Sequence, residues 1–151
     1  MAGESDRPPR GMRIVERARA LIGVRFRPQG RSAEQGLDCI GVVAMASGMD
    51  ARRVRSDYGL RTADPDQVNR DFDDCGFLRM APAAAEPGDV LLVRSGPMQL
   101  HVVMLTDLGY LHADASLRRV VEVPGQLPWS VLSAWRWPER DDPGPVPARL
   151  N

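Results

Sequence analysis

Apolar residues Met12, Val15, Ala18, Leu21 and Ile22 recur at helical spacing. They predict an amphipathic helix over 11–23, with Gly23 placed to stop it. The stretch from Val24 to Gly30 reads as irregular, and 31–36 as a polar loop. Asp38 is a natural N-cap for a second helix from Cys39 to Ser47, with Gly48 as its stop. The segment 50–80 is charged and poor in apolar anchors. Within it, Asp64-Pro65-Asp66 marks a third helix start, with Val68, Phe72 and Cys75 along one face and Gly76 to close it. After an Ala/Pro loop, Glu86-Pro87-Gly88-Asp89 has turn chemistry. The apolar run Val90 to Val93 then predicts a buried strand. Further strands are expected over 99–106 and 110–113, which would form a hairpin, and over 118–123 and 131–137. Helices first and an antiparallel sheet afterwards define an α+β domain.

A chain of 151 residues suits one domain with one core. The expected boundaries are a loose arm over 1–10, the domain over 11–138 and a Pro-rich, charged tail over 139–151. Basic and acidic residues balance at 20 each, which argues against a nucleic-acid partner. All the basic residues are arginine, a composition bias with no functional weight. The N-terminus lacks an apolar stretch after a basic one, so no secretory signal is expected. No run of 18 apolar residues exists, so no membrane span is expected either. Trp129, Trp135 and Trp137 read as core and sheet packing, and the pairs at 52–53 and 118–119 as solvated arginines.

Cysteine and histidine are scarce, at two residues each. Cys39 falls in the first turn of its helix, where unpaired N–H groups and the helix dipole favour a thiolate. Its backbone N–H is a candidate oxyanion donor. Gly41 costs helix propensity, roughly 1 kcal/mol against Ala, and close packing or substrate access would offset that. His101 lies on the strand Leu100-His101-Val102-Val103, and His112 on the next, Leu111-His112-Ala113-Asp114. If His112 opposes Val103, both imidazoles share a face as diagonal neighbours, with Cα atoms roughly 7–8 Å apart. Opposite Leu105 they would be too far apart, and opposite Met104 they would point to opposite faces. The first register is expected. Cys39 is then a nucleophile paired as thiolate with His101, the general base, and His112 orients His101. Asp114 shares the face and is the alternative orienter.

Plainer readings stand beside this one. A lone cysteine is commonly core filler, which is also the reading for Cys75. A Cys39–Cys75 disulfide would consume the nucleophile. Cys39, Cys75, His101 and His112 have the elements of a zinc site but no metal-ligand spacing, so neither a metal nor a cofactor is expected.

The segment Val24-Arg25-Phe26-Arg27-Pro28-Gln29-Gly30, then Leu37-Asp38-Cys39-Ile40-Gly41, Pro87-Gly88-Asp89, His101-Val102-Val103 and Leu111-His112-Ala113 occur in that order. In this order and spacing the chain resembles the NlpC-type cell-wall cysteine peptidases, which are papain-like, over roughly 15–137. The resemblance implies helices packed on a central antiparallel sheet. It implies an endopeptidase cutting peptidoglycan stem peptides, with D-glutamyl–diamino acid amides as the family's usual bond. It assigns Cys39 as nucleophile, His101 as base and His112 as orienter, and places Phe26, Asp38, Ile40 and Gly41 toward substrate. Two positions depart: Phe26 stands where the family has Tyr, and Ile40 where it has Ser, losing a contact to the stem peptide's amino end. Asp38 keeps its place to meet a substrate amine. An apolar residue after the cysteine resembles members encoded in phage tail modules and gene transfer agents. That resemblance implies tail proteins as partners, with synthesis in the cytoplasm and action at the cell wall. A tail-tip structural module that keeps the fold, and an amidase or acyltransferase on another substrate, are the alternatives.

Overall fold

The computed structural model describes residues 9–50 and 64–138. The expected tail, most of the N-terminal arm, the arginine pair at 52–53 and the centre of the 50–80 segment lie outside the described residues.

Helix α1 (Arg10–Arg19) buries Ile14, Val15 and Ala18. It ends earlier than the apolar spacing suggests. Leu21 and Ile22 donate to the carbonyls of Ala18 and Arg19, a tightened turn that still buries Leu21 but leaves Ile22 exposed. The expected loop holds a minimal hairpin, β1 (Arg31–Ser32) with β2 (Gly36–Leu37). Helix α2 (Cys39–Ser47) is buried on nearly every side and stops at Gly48 in the left-handed conformation. Helix α3 (Pro65–Asp74) has Asp64 as N-cap, and Cys75 follows as its C-cap. Strand β3 (Leu78–Met80) was not expected, because its residues are largely exposed and carry no alternation; it forms by pairing with β8. A 3-10 turn, Pro82–Ala84, leads to β4 (Val90–Gly96), β5 (Gln99–Leu105), β6 (Gly109–Asp114), β7 (Arg119–Pro124) and β8 (Ser130–Arg136).

The sheet is antiparallel in the order β3-β8-β4-β5-β6-β7. All three helices cover one face. There Leu92, Leu100, Val102, Met104, Leu111 and Trp135 meet Ile14, Val43, Val68 and Phe72, and Trp135 stacks on Phe72 at 4.5 Å. The other face has a smaller cluster built on Leu91, Val93, Val103, Tyr110 and Ala134. The run Val90 to Val93 is therefore continuous because it is buried on both sides.

One close approach locks α1 to the sheet, and one ion pair ties two of the strands together. A Cβ on Gly11 would lie 2.2 Å from the Pro87 carbonyl oxygen, so the Pro87-Gly88-Asp89 turn docks directly on α1. Gly88 also needs its positive φ of +95°. Asp89 is buried and accepts a forked pair of bonds from Arg136, Nε to Oδ1 at 2.9 Å and Nη2 to Oδ2 at 2.8 Å. That fork ties the start of β4 to the end of β8.

Candidate active site

The site begins where β5 and β6 part. Their ladder has only two pairs, Met104 with Leu111 and Leu105 with Tyr110. Carried one step further, this register sets Val103 opposite His112, the arrangement the alternation favoured. Beyond the ladder the two strands are no longer paired, and the N-terminus of α2, which packs on both, lies at the opening. Backbone hydrogen bonds from Val102 and Ile40 go to the Cys39 sulfur. The opening matters because of the faces involved. Cys39 belongs to the core on the helix side, whereas His101 and His112 share the alternation of Val103 and Tyr110, which lie in the opposite cluster.

Cys39, His101 and His112 line one cleft of about 610 Å³, together with Phe26, Asp38 and Ile40. His101 Nε2 lies 2.7 Å from His112 Nδ1, a hydrogen bond whose direction depends on the tautomers. Asp114 does not take the orienting place: its Oδ2 lies 3.8 Å from His112 Nε2, on the far side of that ring. Its Oδ1 accepts from the Ser116 and Leu117 N–H groups and shapes the turn after β6. The Trp129 ring stands 5.7 Å from His101 and 5.8 Å from His112, edge to face. Trp129 therefore does pack on the sheet, but it also walls the cleft, a role that a lone aromatic in a loop does not announce in sequence. Arg31, Ser95 and Gln99 line the cleft as well, and none carries a motif.

Asp38 caps α2 by accepting from the Gly41 N–H at 2.8 Å. The same oxygen accepts from Arg31 Nη1 at 2.6 Å. The carboxylate expected to meet a substrate amine is thus already paired with a cation. Gly41 departs from its expected place: it does not line the cleft. A Cβ there would lie 2.3 Å from the Gly30 carbonyl oxygen, so the glycine serves the close approach of the 30-loop to α2. The Cys39 N–H has no hydrogen-bond partner among the described residues, so it remains available to a ligand oxygen.

The electrostatics correct one expectation. Burial, reinforced by the Asp38 charge, pushes the Cys39 thiol up to about 12. The bonds from Val102 and Ile40 and the Arg31 charge act the other way but are outweighed. Burial and the neighbouring His112 push His101 down to about 4, against an upward pull from Asp114. His112 is also lowered by burial, with Asp114 again opposing. The resting site therefore favours a neutral thiol and neutral imidazoles in one cleft over a preformed thiolate–imidazolium pair. Cys39 and Cys75 are both free thiols. Among the described residues no group of three or more candidate ligands is placed to hold a metal ion, so the four residues of the zinc reading are not assembled. No helix there is long and apolar enough to cross a membrane.

No family model and no curated protein sequence matches the chain. Solved structures do. NlpC1 from Trichomonas vaginalis superposes with a TM-score of 0.59 at 22% identity, over 84% of this chain and 44% of that one. The P60 domain of an antigen from M. avium subspecies paratuberculosis gives 0.58 at 19%, over 86% and 96%. The peptidoglycan hydrolase RipB from Mycobacterium tuberculosis gives 0.55 at 21%, over 93% and 74%. The fold is that of NlpC/p60 domains. The chain corresponds to less than half the length of the Trichomonas protein and to nearly all of the isolated P60 domain.

Proposed function

We propose that this chain is a cysteine peptidase of the NlpC/p60 family that hydrolyses peptidoglycan stem peptides. The observation that carries the reading is one cleft lined by a helix-terminal cysteine and a hydrogen-bonded histidine pair, on a fold shared with a peptidoglycan hydrolase. In the reaction, His101 takes the Cys39 proton as the sulfur attacks the amide carbonyl. The free Cys39 N–H stabilises the tetrahedral oxyanion. His101 then returns the proton to the leaving amine, and water hydrolyses the thioester. Because the resting pair is neutral, proton transfer accompanies attack. His112 holds the His101 ring throughout.

The bond is a D-glutamyl–diamino acid amide, and the enzyme works within a phage-like tail or gene transfer agent. It is made in the cytoplasm and acts at the cell wall, where tail proteins are its partners. Phe26, Ile40 and Asp38 contact the stem peptide. With Asp38 engaged by Arg31, a substrate amine has to compete with a guanidinium for that carboxylate. Purified sacculi treated with the protein should release muropeptides and lose turbidity, and Cys39→Ala should reduce both by roughly a thousandfold or more. Equal activity in the two proteins would defeat the enzymatic reading.

A second reading, a tail-tip structural module that retains the fold, draws on the neutral, deeply buried thiol. It expects stable co-purification with tail proteins and no alkylation at Cys39.

A further inference from the structure

We propose that Asp114 is a positioning residue that ends a relay running from its carboxylate through His112 to His101, and that it fixes the tautomer of both rings. The His101–His112–Asp114 geometry stands by itself; its consequence for Cys39 rests on the function proposed above.

The order of atoms sets the logic. The ring–ring bond uses His101 Nε2 and His112 Nδ1, and the carboxylate faces the other nitrogen of His112, Nε2. An anion 3.8 Å away favours a proton on the nitrogen it faces. At that distance it acts through charge and not through a direct hydrogen bond. With the proton on His112 Nε2, Nδ1 of a neutral ring is an acceptor. His101 must then donate from Nε2, which leaves its Nδ1 lone pair free to receive a proton. Reversing either tautomer would place a proton on His101 Nδ1 and block it as a base there. A neutral orienter alone does not choose between these states, and the carboxylate does.

The surroundings leave Asp114 as the group able to act in this way. The charged groups lining the cleft are Arg31, Asp38 and Asp114. The first two are paired with each other at 2.6 Å, and His112 is the only ion-pair partner of Asp114 among the described residues. Cys39 lines the same cleft from α2. Tyr110 packs on His112 from the same strand at 5.3 Å. Arg119 is the register partner of Asp114 on β7. The Asp114 charge opposes the downward shift of both histidines, as this placement requires.

Asp114→Asn separates the two jobs of the side chain. Asparagine keeps an Oδ1 to accept from Ser116 and Leu117, so the turn survives while the charge is lost. With only two histidines in the chain, long-range ¹H–¹⁵N spectra of the uniformly labelled protein resolve each ring. At neutral pH the wild type should show both rings protonated at Nε2. Asp114→Asn should give a mixture of tautomers at His112. It should also slow iodoacetamide alkylation of Cys39 roughly tenfold, the effect of about one unit in base strength, with Cys75 unchanged. Asp114→Glu should recover part of the rate. Asp114→Ser, which keeps a turn-capping oxygen without the charge, repeats the measurement if the Asn variant folds poorly. Unchanged tautomers in the charge-free variants, or an Nδ1 proton on His112 in the wild type, would overturn the relay. Sacculi left intact by a wild type that shows the expected tautomers would sink the peptidase and leave the relay standing.

Discussion

Cys39 and His101 are each held neutral by the burial that brings them into one cleft. That has a measurable cost in stability at both ends of the pH scale. His101 has its folded-state value lowered from 6.5 to about 4. The unfolded chain therefore binds the proton more readily between those values. The stability from keeping the ring neutral is fully present above pH 6.5 and is lost as pH falls through 4, about 3 kcal/mol at most. His112 adds in the same direction. Cys39 behaves oppositely: its value rises from 9.0 to about 12, so its contribution is intact below pH 9 and is lost as pH climbs toward 12. Urea unfolding from pH 4 to 7 should show stability rising with pH, and His101→Gln should flatten that rise. A curve of unchanged slope in the variant would mean that the imidazole is not held neutral by the fold.

At the scale of elements, the start of α2 is fixed from three sides. Asp38 caps it, Arg31 holds Asp38, and the Gly30 carbonyl presses on Gly41. Gly41→Ala should test the last contact. Alanine gains roughly 1 kcal/mol of helix propensity, yet its methyl group must displace backbone, which costs roughly 1–3 kcal/mol. The displaced backbone belongs to the loop that carries Arg31 into the cleft. Net destabilisation in urea, with loss of Cys39 alkylation control, is the expected outcome; a stabilised variant would show that the 30-loop yields freely. The two short strands beside this loop and β3 were not legible in the sequence. Each is two or three residues long, so the neighbour and not the local pattern decides its state. The longer helices and the strands from Val90 onward were legible because each turns a periodic apolar face, or an unbroken apolar run, into the core.

For the molecule as a whole, the Asp89–Arg136 fork joins β4 and β8, neighbours in the sheet, through residues 47 apart in sequence. The Asp89 side chain is 3% exposed and the Arg136 side chain 35%. Removing the cation alone leaves the buried Asp89 carboxylate with the Glu86 N–H, at 2.8 Å, as its remaining donor. Arg136→Met should cost about 1–3 kcal/mol, read as a fall in the urea midpoint. Asp89→Asn should cost less, since the arginine can turn to solvent. Equal small effects would mean that the turn, and not the ion pair, holds β8 in place.

The sequence by itself determined the α+β plan and the capped helix that begins at Cys39, and it narrowed the histidine strands to three registers, of which it favoured one that puts both histidines on one face. Those properties follow from local periodicity, from Asp38 as cap and from alternation along a hairpin. It did not reveal that this face is the one turned away from the helices, because alternation gives sides only relative to one another. Only the tertiary structure decided that β5 and β6 part beyond Met104 and Leu111, opening the cleft that Cys39 and both imidazoles line. It alone paired Arg31 with Asp38 and set Asp114 behind His112. It also kept the thiol and imidazole neutral, since burial is a property of what the rest of the chain packs around them.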